Sequence, residues 1–550
     1  MKRCLFILGF LVATCCAHAQ DGVYRERLYV NMDQDHYLAG EWCWFSVYSL
    51  DAATDQPRVF SRIAYLELLD AHGTPVVQTK LALDSARAQG AVQLPADLPS
   101  GTYTWRAYTR WMRNFSSEGF FTQQVNVYNT LHPEAMNGAH LIPGALQGAP
   151  DAALHCSTDK PLYDRRSQLE IRLKTGVPVT GLSLSVFRVD TVMEKVKLSP
   201  QAYKHYPLID TLLPELRGNI ITGRIVNRAT GTPVEGVIGT LSVPGRKPVF
   251  QAVSSDANGR FISELEEAYG NSTLIMECRE KQYRIIPDYQ FAPVLTPAQE
   301  AARDSLPENV LEAYATRHVS AQVEHAYRER DLAAPPAPLR DSVPFFGRPD
   351  EEILLDDYTR FTTMEDVFRE VIKQVFVRRA GGVLHLHCWN LGTEMMEHDD
   401  ALVLLDGVPV YNNKELFEFD PLKIRKISVR ARPVYYGPIR AAGVVFMQTY
   451  SGDLKGYPLD STQVSAQDFV GLQNPHPFPA PAYVSQTERN SRFPDYRSLL
   501  YWQPSVRFDA AGAATVQCYT GDLPGHYLVV AAGLDAGGKP CYTTHAFDVK

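Results

Sequence analysis

The sequence has 550 residues, of which 45% are hydrophobic and 21% are charged, and its formal net charge is −8. A chain of this length is too long for one hydrophobic core and predicts several domains. Binding to the phosphate backbone of nucleic acid needs clustered Lys and Arg, and the sequence has no such cluster. We therefore expect no nucleic-acid partner.

The first residues predict export. A basic start, an apolar run and the small-x-small pattern Ala17-His18-Ala19 have the form of a signal peptide over residues 1–19, cleaved near Ala19. The mature protein is then expected in the periplasm or associated with the outer membrane. Cys15 and Cys16 leave a lipoprotein open as the alternative. No later stretch has the ~20 apolar residues of a spanning helix, so any membrane association is expected to be peripheral.

The cysteines beyond the predicted cleavage site are thinly spread along the chain. They are Cys43, Cys156, Cys278, Cys388, Cys518 and Cys541. Small disulfide-stapled domains carry a far denser framework, so this spacing favours buried free thiols. A bond between Cys518 and Cys541 stays open, because these two are the closest in sequence.

Three segments have the alternating pattern of antiparallel sandwiches, at residues 22–130, 150–215 and 460–550. The second segment opens with "STDKPLYDRRSQLEIRLKT", which echoes "NMDQDHYLAGEWCWFSVYS" in the first. Both have an Asp, then a Tyr, then a turn before an alternating strand. In the third segment "LPGHY" matches "LPSGTY" of the first. The predicted fold class is mainly β, with tandem antiparallel β-sandwiches and a small α+β domain.

The first segment carries the motif D-x-x-x-Y-x-x-G-E, formed by Asp33, Tyr37, Gly40 and Glu41. This motif resembles the macroglobulin-like domains of alpha-2-macroglobulin relatives. Protease-trapping members of that family carry a Cys-Gly-Glu-Gln thioester, and this sequence has no such tetrapeptide. The resemblance implies the sandwich fold and leaves a protease inhibitor without a thioester as an alternative function.

Residues 217–290 contain "GRIVNRATGTPV" followed by "SSDANGRF" and resemble the carboxypeptidase regulatory-like domain. Asp256, Asn258 and Gly259 are expected to form a tight turn. That module is the non-catalytic companion of peptidases, and the segment has no zinc ligand set. Residues 295–350 predict a helix that begins at a capping box of Ser305 and Glu308, followed by a Pro-rich linker.

Residues 351–453 predict the small α+β domain. Thr362 and Glu365 form a second predicted capping box. An apolar face follows at helical spacing and predicts core packing. Its members are Met364, Val367, Phe368, Val371 and Ile372.

The rest of this segment closely resembles the plug of TonB-dependent receptors. The motif residues are Asp406, Gly407, Pro409, Tyr436, Gly437 and Gly443. The remaining chain is expected to be too short for a receptor barrel. The resemblance therefore implies a plug fold, and we expect it either to dock to a separate partner at the outer membrane or to serve as a periplasmic interaction module. The order of domains as a whole resembles a family of exported multidomain Bacteroidota proteins.

Two further groups are candidate sites. His385 and His387 share one face of a predicted strand, and Glu394 and His398 lie in the returning segment, so the 385–399 hairpin could form a metal site with two His and one carboxylate. An ordinary solvated turn is the alternative.

The second group consists of Trp111, Arg113 and Phe115, which have the composition of a protein interface. Alternate residues of the preceding strand, Trp105 among them, are expected in the core.

Together these patterns predict an exported, non-catalytic binding or scaffold protein without a cofactor. It is expected to dock through the plug-like domain to a partner in the outer membrane or periplasm. The alternatives are the inhibitor without a thioester and a metal-binding protein that uses the 385–399 hairpin.

Overall fold

The computed structural model describes residues 23–131, 151, 153–189, 204, 206–245, 247–266, 268–294, 308–332, 344–460 and 463–550. The predicted signal peptide and Ser305 of the first capping box lie outside these residues. The chain forms two compact units. Unit 1 comprises Met1–Leu216, Ala292–Pro336 and Gln473–Lys550, and unit 2 comprises Arg217–Phe291 and Ala337–Leu472.

Strands dominate the described chain, which confirms the predicted mainly β fold class with tandem sandwiches. The strands are β1 (Glu26–Met32), β2 (His36–Leu38), β3 (Trp42–Asp51), β4 (Ile63–Leu69), β5 (Pro75–Ala82), β6 (Arg87–Gln93), β7 (Gly101–Tyr108), β8 (Phe121–Tyr128), β9 (Leu154–Thr158), β10 (Leu162–Tyr163), β11 (Gln168–Thr175), β12 (Val179–Arg188), β13 (Asn219–Asn227), β14 (Ile238–Val243), β15 (Val249–Ser254), β16 (Arg260–Leu265), β17 (Asn271–Cys278), β18 (Tyr283–Pro287), β19 (Glu351–Leu354), β20 (Val375–Ala380), β21 (Val383–Asn390), β22 (Met395–Met396), β23 (Leu402–Leu405), β24 (Val408–Pro409), β25 (Ile424–Arg430), β26 (Val434–Tyr436), β27 (Ile439–Ala441), β28 (Val444–Thr449), β29 (Ser465–Val470), β30 (Leu499–Gln503), β31 (Ala513–Tyr519), β32 (Gly525–Asp535) and β33 (Pro540–Val549). The helices are α1 (Glu308–Leu332), α2 (Met364–Glu370), α3 (Asn413–Glu418) and α4 (Gln486–Arg489).

Unit 1 contains two sandwiches with the same strand order. The first pairs its strands as β1-β3-β6 in one sheet and β2-β8-β7-β4-β5 in the other. The second pairs them as β9-β11-β31 and β10-β33-β32-β12-β30. Each position of the first order has its counterpart in the second, so β12 and β30 correspond to the hairpin strands β4 and β5.

The second sandwich corrects two predicted domain boundaries. Segments 150–215 and 460–550 were predicted as separate sandwiches, but their strands alternate within the same two sheets. Neither segment has enough strands to bury both faces alone, and the two halves share one core. Residues 189–498, which include all of unit 2, are inserted where the first sandwich has the short turn 70–74.

The predicted Asp–Tyr repeat is the same structural device in both sandwiches. Tyr37 donates a hydrogen bond to the Asp33 carboxylate at 2.8 Å, and the backbone N–H eleven residues after Asp33 donates another at 2.9 Å. Asp159 accepts from Tyr163 at 2.5 Å and from the corresponding N–H at 3.1 Å. Full burial raises the pKa of Asp33 to about 7. The similar sequences at Asp33 and Asp159 therefore reflect the same contact, in which an Asp carboxylate joins a Tyr hydroxyl to the backbone of the following long strand.

Helix α1 packs against the first sandwich through a buried ion pair. The Arg317 guanidinium donates to both carboxylate oxygens of Glu41, each at 2.8 Å, and Arg317 is 4% exposed. One turn earlier the ring of Tyr314 stacks on Tyr128, with centroids 3.9 Å apart. The motif glutamate Glu41 thus anchors a helix that lies far from it in sequence.

Removing one side of this pair is expected to destabilise unit 1. Arg317→Ala leaves the half-buried Glu41 carboxylate with the Leu38 N–H but without its guanidinium. Loss of one partner of a largely buried pair is expected to cost about 3 kcal/mol. Urea unfolding followed by Trp fluorescence measures the change. Glu312→Ala, at an exposed position of the same helix, is the control and should change the unfolding midpoint little. Equal midpoints for Arg317→Ala and the parent chain would contradict the assignment.

Unit 2 begins with a third sandwich. Its sheets are β16-β13-β18 and β15-β14-β17-β29, so a strand beyond the predicted boundary at 290 completes it. The predicted turn forms as expected, because the Gly259 N–H donates to the Asp256 carbonyl at 2.8 Å and Gly259 has a φ of +71°.

The α+β part of unit 2 is a mixed sheet, ordered β19-β25-β28-β23-β24, with α2 and α3 and the hairpin β20–β22. The predicted apolar face of α2 is buried in its core. The N-cap of α2 is Thr363, whose hydroxyl accepts from the Asp366 N–H at 3.2 Å. The predicted cap, Thr362, is therefore wrong by one residue, because only the side chain directly before the helix reaches that N–H.

The six cysteines are free thiols, and all but the half-buried Cys156 are buried. Cys518 and Cys541 lie unbonded in the core of the second sandwich, where burial raises the pKa of each thiol to about 12. Among the described helices, none combines the length and the apolarity that a membrane crossing requires.

Candidate functional site

Unit 2 contains a cleft of about 510 Å³ between its sandwich and its α+β part. One wall is the outer face of β14 and β17. The other wall is formed by β24, the start of α3, the β26–β27 hairpin and residues 457–460 and 463–464. The ionisable and aromatic side chains of the lining include Glu277, Tyr411, Glu415 and Tyr457, with Arg279, Lys281, Asp400 and Arg440 toward the rim.

Glu277 is the central residue of the sandwich wall. It lies near the end of β17 and is 9% exposed, and its Oε1 atom has no hydrogen-bond partner among the described residues. Burial, and then the negative charge of Glu415, raises the pKa of Glu277 to about 8. The carboxyl group is therefore mostly protonated at pH 7 when the cleft is empty.

Glu415 holds the facing position in the first turn of α3. Its Oε1 accepts from the Asn412 amide at 2.8 Å, and its Oε2 accepts from the Tyr457 hydroxyl at 3.0 Å. Asn412 is also the N-cap of α3, since its side chain accepts from the Lys414 N–H at 3.1 Å. The carboxylate of Glu415 is thus fixed in position by a helix start and a tyrosine.

The rim of the cleft carries both signs of charge. Asp400 accepts from His385 Nδ1 at 2.9 Å, and Arg440 pairs with Asp399 at 3.3 Å. Arg279 and Lys281 are exposed. The arrangement can bind a polar ligand whose inner end meets carboxyl groups and tyrosine rings and whose outer part meets a mixed, solvated edge.

The motif residue Asp406 has a structural role. It is fully buried at a φ of +47°. Its carboxylate accepts three hydrogen bonds: from the Thr449 N–H at 2.8 Å, from the Thr449 hydroxyl at 2.6 Å and from the Leu454 N–H at 2.9 Å. These bonds tie the turn after β23 to the end of β28.

Three other motif residues face the sandwich of unit 2. A Cβ at Gly407, where φ is +89°, would lie 2.4 Å from Pro248 Cβ. The Tyr436 hydroxyl donates to Gln251 Oε1 at 2.9 Å, and Gly437 follows it at a φ of +54°. This face is covered by the protein's own β14–β15 region and is not open to another chain.

The last two motif residues are Pro409 and Gly443. Pro409 is part of β24 and lines the cleft. Gly443 precedes β28, and a Cβ there would lie 2.4 Å from Cys388 Sγ. Close packing on that thiol accounts for the glycine.

The predicted metal site is not formed. His385 and His387 lie side by side with ring centroids 6.3 Å apart, but His385 pairs with Asp400 instead of Glu394. Glu394 and His398 are exposed at the hairpin end, because β22 pairs with the last residues of β21 and carries the turn away from the imidazoles. In the part of the chain that the structure describes, no group of three or more His, Cys, Asp or Glu is placed to hold a metal ion.

The predicted interface group belongs largely to the protein's own packing. Phe115 is only 7% exposed and Arg113 is half-buried. The Trp111 indole N–H donates to the Tyr24 carbonyl at 2.9 Å, and its ring packs against Phe60 and Phe115. The prediction is corrected for Phe115, because a buried ring cannot anchor a partner. Trp105 is buried, as its place in the strand predicted.

The sequence did contain a signal for Glu277. In "STLIMEC" it is a lone carboxylate at the end of a run of strand residues that the structure buries. Isolated acids in such runs are rarely buried without a reason. Glu415, Tyr411 and Tyr457 gave no comparable signal, since each lies in an ordinary polar or turn segment.

A scan against family models gives no match, and neither does a search of curated proteins. A search of solved structures matches alpha-2-macroglobulin from Salmonella reacted with methylamine, at 10% identity and a TM-score of 0.25, covering 96% of this chain and 39% of that chain. Trypsin-activated alpha-2-macroglobulin from Escherichia coli matches at 10% identity and a TM-score of 0.24, covering 96% of this chain and 41% of that chain. The Escherichia coli adhesin FdeC matches at 12% identity and a TM-score of 0.15, covering 46% of this chain and 60% of that chain. The chain spans about two fifths of the macroglobulins, and similarities of this size do not assign it to a family.

Proposed function

We propose that the protein is an exported, non-catalytic binding protein whose ligand site is the cleft of unit 2. The observation that carries this proposal is the Glu277 carboxyl group, which is buried in the wall of an open cleft without a hydrogen-bond partner for Oε1. A buried polar group without a partner costs about 1–3 kcal/mol. A ligand that hydrogen-bonds to Glu277 would offset that cost.

The partner is proposed to be an envelope protein. Export follows from the predicted signal peptide, and docking follows from the resemblance to a receptor plug. The turns at Gly407 and Gly437 are covered by the sandwich of the same unit, whereas the cleft beside them is open, so we place docking at the cleft. The mixed charges at its rim suit a polar, solvated contact with a protein.

Blocking the cleft tests the proposal. Asn413 lines it and is half-buried, so Asn413→Trp places an indole in the opening. A tagged parent chain is expected to recover a stoichiometric envelope partner from its native envelope in mild detergent, and Asn413→Trp is expected to lose at least nine tenths of it.

Glu370→Trp, at an exposed position outside the cleft, is the matched control and should recover the partner fully. Equal recovery by Asn413→Trp and the control would overturn the proposal. Unchanged circular dichroism and urea unfolding of Asn413→Trp are required, so that loss of the partner reports the blocked cleft.

A second candidate function is a protease inhibitor without a thioester. It is favoured by the tandem sandwiches of identical strand order with the same Asp–Tyr device. Mixing the protein with trypsin and elastase, followed by size-exclusion chromatography, tests it. A stable complex with loss of protease activity on large substrates would support inhibition, and free elution of both proteins would exclude it for these proteases.

A further inference from the structure

We infer that the cleft binds an organic cation, an ammonium or guanidinium group, between the carboxyl groups of Glu277 and Glu415. This inference rests on the proposed function, because it names the class of ligand for the same site. It is carried by the charges, the hydrogen-bonding groups and the rings that line the inner end of the cleft.

The inner end of the cleft has two acidic groups without a cation. Neither Glu277 nor Glu415 forms an ion pair with a residue that the structure describes. By contrast, Asp400 at the rim has a hydrogen bond with His385, and the adjacent Asp399 forms an ion pair with Arg440. Two neighbouring carboxyl groups cannot both ionise cheaply unless a positive charge lies between them. A bound cation supplies that charge.

The hydrogen-bonding groups at the inner end favour a donor ligand. Glu415 has a donor on each oxygen, and each oxygen retains a second lone pair. Glu277, once ionised, offers acceptors only. An ammonium or guanidinium group carries three to five N–H donors and no acceptor, so it fits this lining, whereas an anion would face two carboxyl groups.

Two tyrosine rings add to the preference for a cation. Tyr411 and Tyr457 both line the cleft, one on each side of Glu415 in sequence. The face of a tyrosine ring attracts a cation by about 0.5–2 kcal/mol, depending on how far the pair is removed from water. The half-buried Tyr457 is also held in place by its hydrogen bond to Glu415.

Binding is expected to depend on pH through Glu277. The titratable and charged groups around it are Glu415, Tyr457, Tyr411, Arg279 and Cys278. Burial and Glu415 raise the pKa of Glu277 to about 8. A bound cation favours the ionised form, so binding near pH 7 releases a proton. Affinity for a permanently charged ligand should therefore rise from pH 6 to pH 8 and level off above it.

The test uses the full mature chain and capped amino acids as probes in isothermal titration calorimetry. The cationic probes are the Nα-acetyl amides of arginine and lysine, and the neutral isostere of the first is the Nα-acetyl amide of citrulline. Both cationic probes are expected to bind at least tenfold more tightly than the citrulline probe. Repeating the titration in buffers of different ionisation enthalpy measures the released proton.

Variants locate the binding. Glu277→Gln and Glu415→Gln should each weaken the arginine probe at least tenfold, and Glu277→Gln should also abolish the rise in affinity between pH 6 and pH 8. Glu235→Gln, at an exposed carboxylate of the same sandwich outside the cleft, should bind like the parent chain. The inference is overturned if citrulline binds as tightly as arginine, if Glu277→Gln binds like Glu235→Gln, or if Ca²⁺ or Mg²⁺ at equal concentration displaces the arginine probe.

These outcomes separate the inference from the proposed function. If the probes fail while Asn413→Trp still loses the envelope partner, the cleft binds a ligand of another class and only the inference falls. If Asn413→Trp keeps the partner, the proposed function falls, whatever the probes show. Spermidine as an added probe distinguishes a small polyamine from a basic peptide as the source of the cation, since tighter binding of a Lys- or Arg-containing tripeptide would assign the peptide.

Discussion

Glu277→Gln is expected to stabilise unit 2 by up to about 4 kcal/mol at pH 9 and to have almost no effect at pH 4. The carboxyl group has a folded-state pKa of about 8, against an ordinary value of 4.5 in the unfolded chain. Between these two values the folded state holds a proton that the unfolded state has lost. Stability is therefore lost as pH rises from about 4.5 to about 8, and it is constant above.

Glutamine removes this dependence because it carries no charge at any pH. Hydrogen exchange of the β17 amides, read by mass spectrometry across this pH range after correction for the intrinsic exchange rate, reports the difference. Glu235→Gln is the matched control and should leave the protection of β17 unchanged. A stabilisation of Glu277→Gln that is the same at pH 4 and pH 9 would contradict the assigned origin, because a packing change alone does not titrate.

Asp406→Ala is expected to destabilise unit 2 by about 4 kcal/mol or more, while unit 1 keeps its stability. The substitution removes three hydrogen bonds to a buried carboxylate, and bonds of that type contribute about 1.5–3 kcal/mol each, although they are not additive. It also places Ala at a φ of +47°, where Asp is tolerated and Ala is strained.

The measurement is urea unfolding with hydrogen exchange of β28 for unit 2 and of β7 for unit 1. Asp406→Asn should lie between the parent chain and Asp406→Ala, since the amide keeps one acceptor oxygen and the preference for positive φ. Thr449→Val, which removes one of the three bonds and the acceptor of the Gly452 N–H, should cost about 2 kcal/mol. If Asp406→Ala and Thr449→Val were equally stable, the carboxylate would not be the anchor of this turn.

The sequence predicted the features that arise from residues close together in the chain. Alternation located the strands of the sandwiches, helical spacing located the buried face of α2, and the Asp–Tyr spacing located the repeated device at Asp33 and Asp159. Each of these patterns is produced by residues within about a dozen positions of one another. The physical causes are short hydrogen bonds and the periodicity of one element.

What the sequence did not predict depends on contacts between distant segments. Alternation shows which residues of a strand face inward, but it does not show that β12 pairs with β30. The cleft is a similar case, because Glu277, Glu415 and Tyr457 come from three separate elements. The wrong metal site has the same origin: the pattern placed two imidazoles on one face, and strand pairing then placed the carboxylates elsewhere.

The insertion between β12 and β30 sets the order in which the strands of the second sandwich become available during synthesis. Strands β9 to β12 are synthesised before their partners β30 to β33. Residues 189–498, more than half of the chain, are synthesised in between, and the second sandwich lacks half of its strands during that time. Until then the edges of β11 and β12 are unpaired and open to wrong strand partners. The last strand of unit 2 ends at Val470, so all strands of unit 2 are synthesised before β30 to β33 of the second sandwich. The second sandwich is therefore the part of the protein whose strand edges stay unpaired longest during synthesis, and loss of residues 499–550 would remove four of its eight strands.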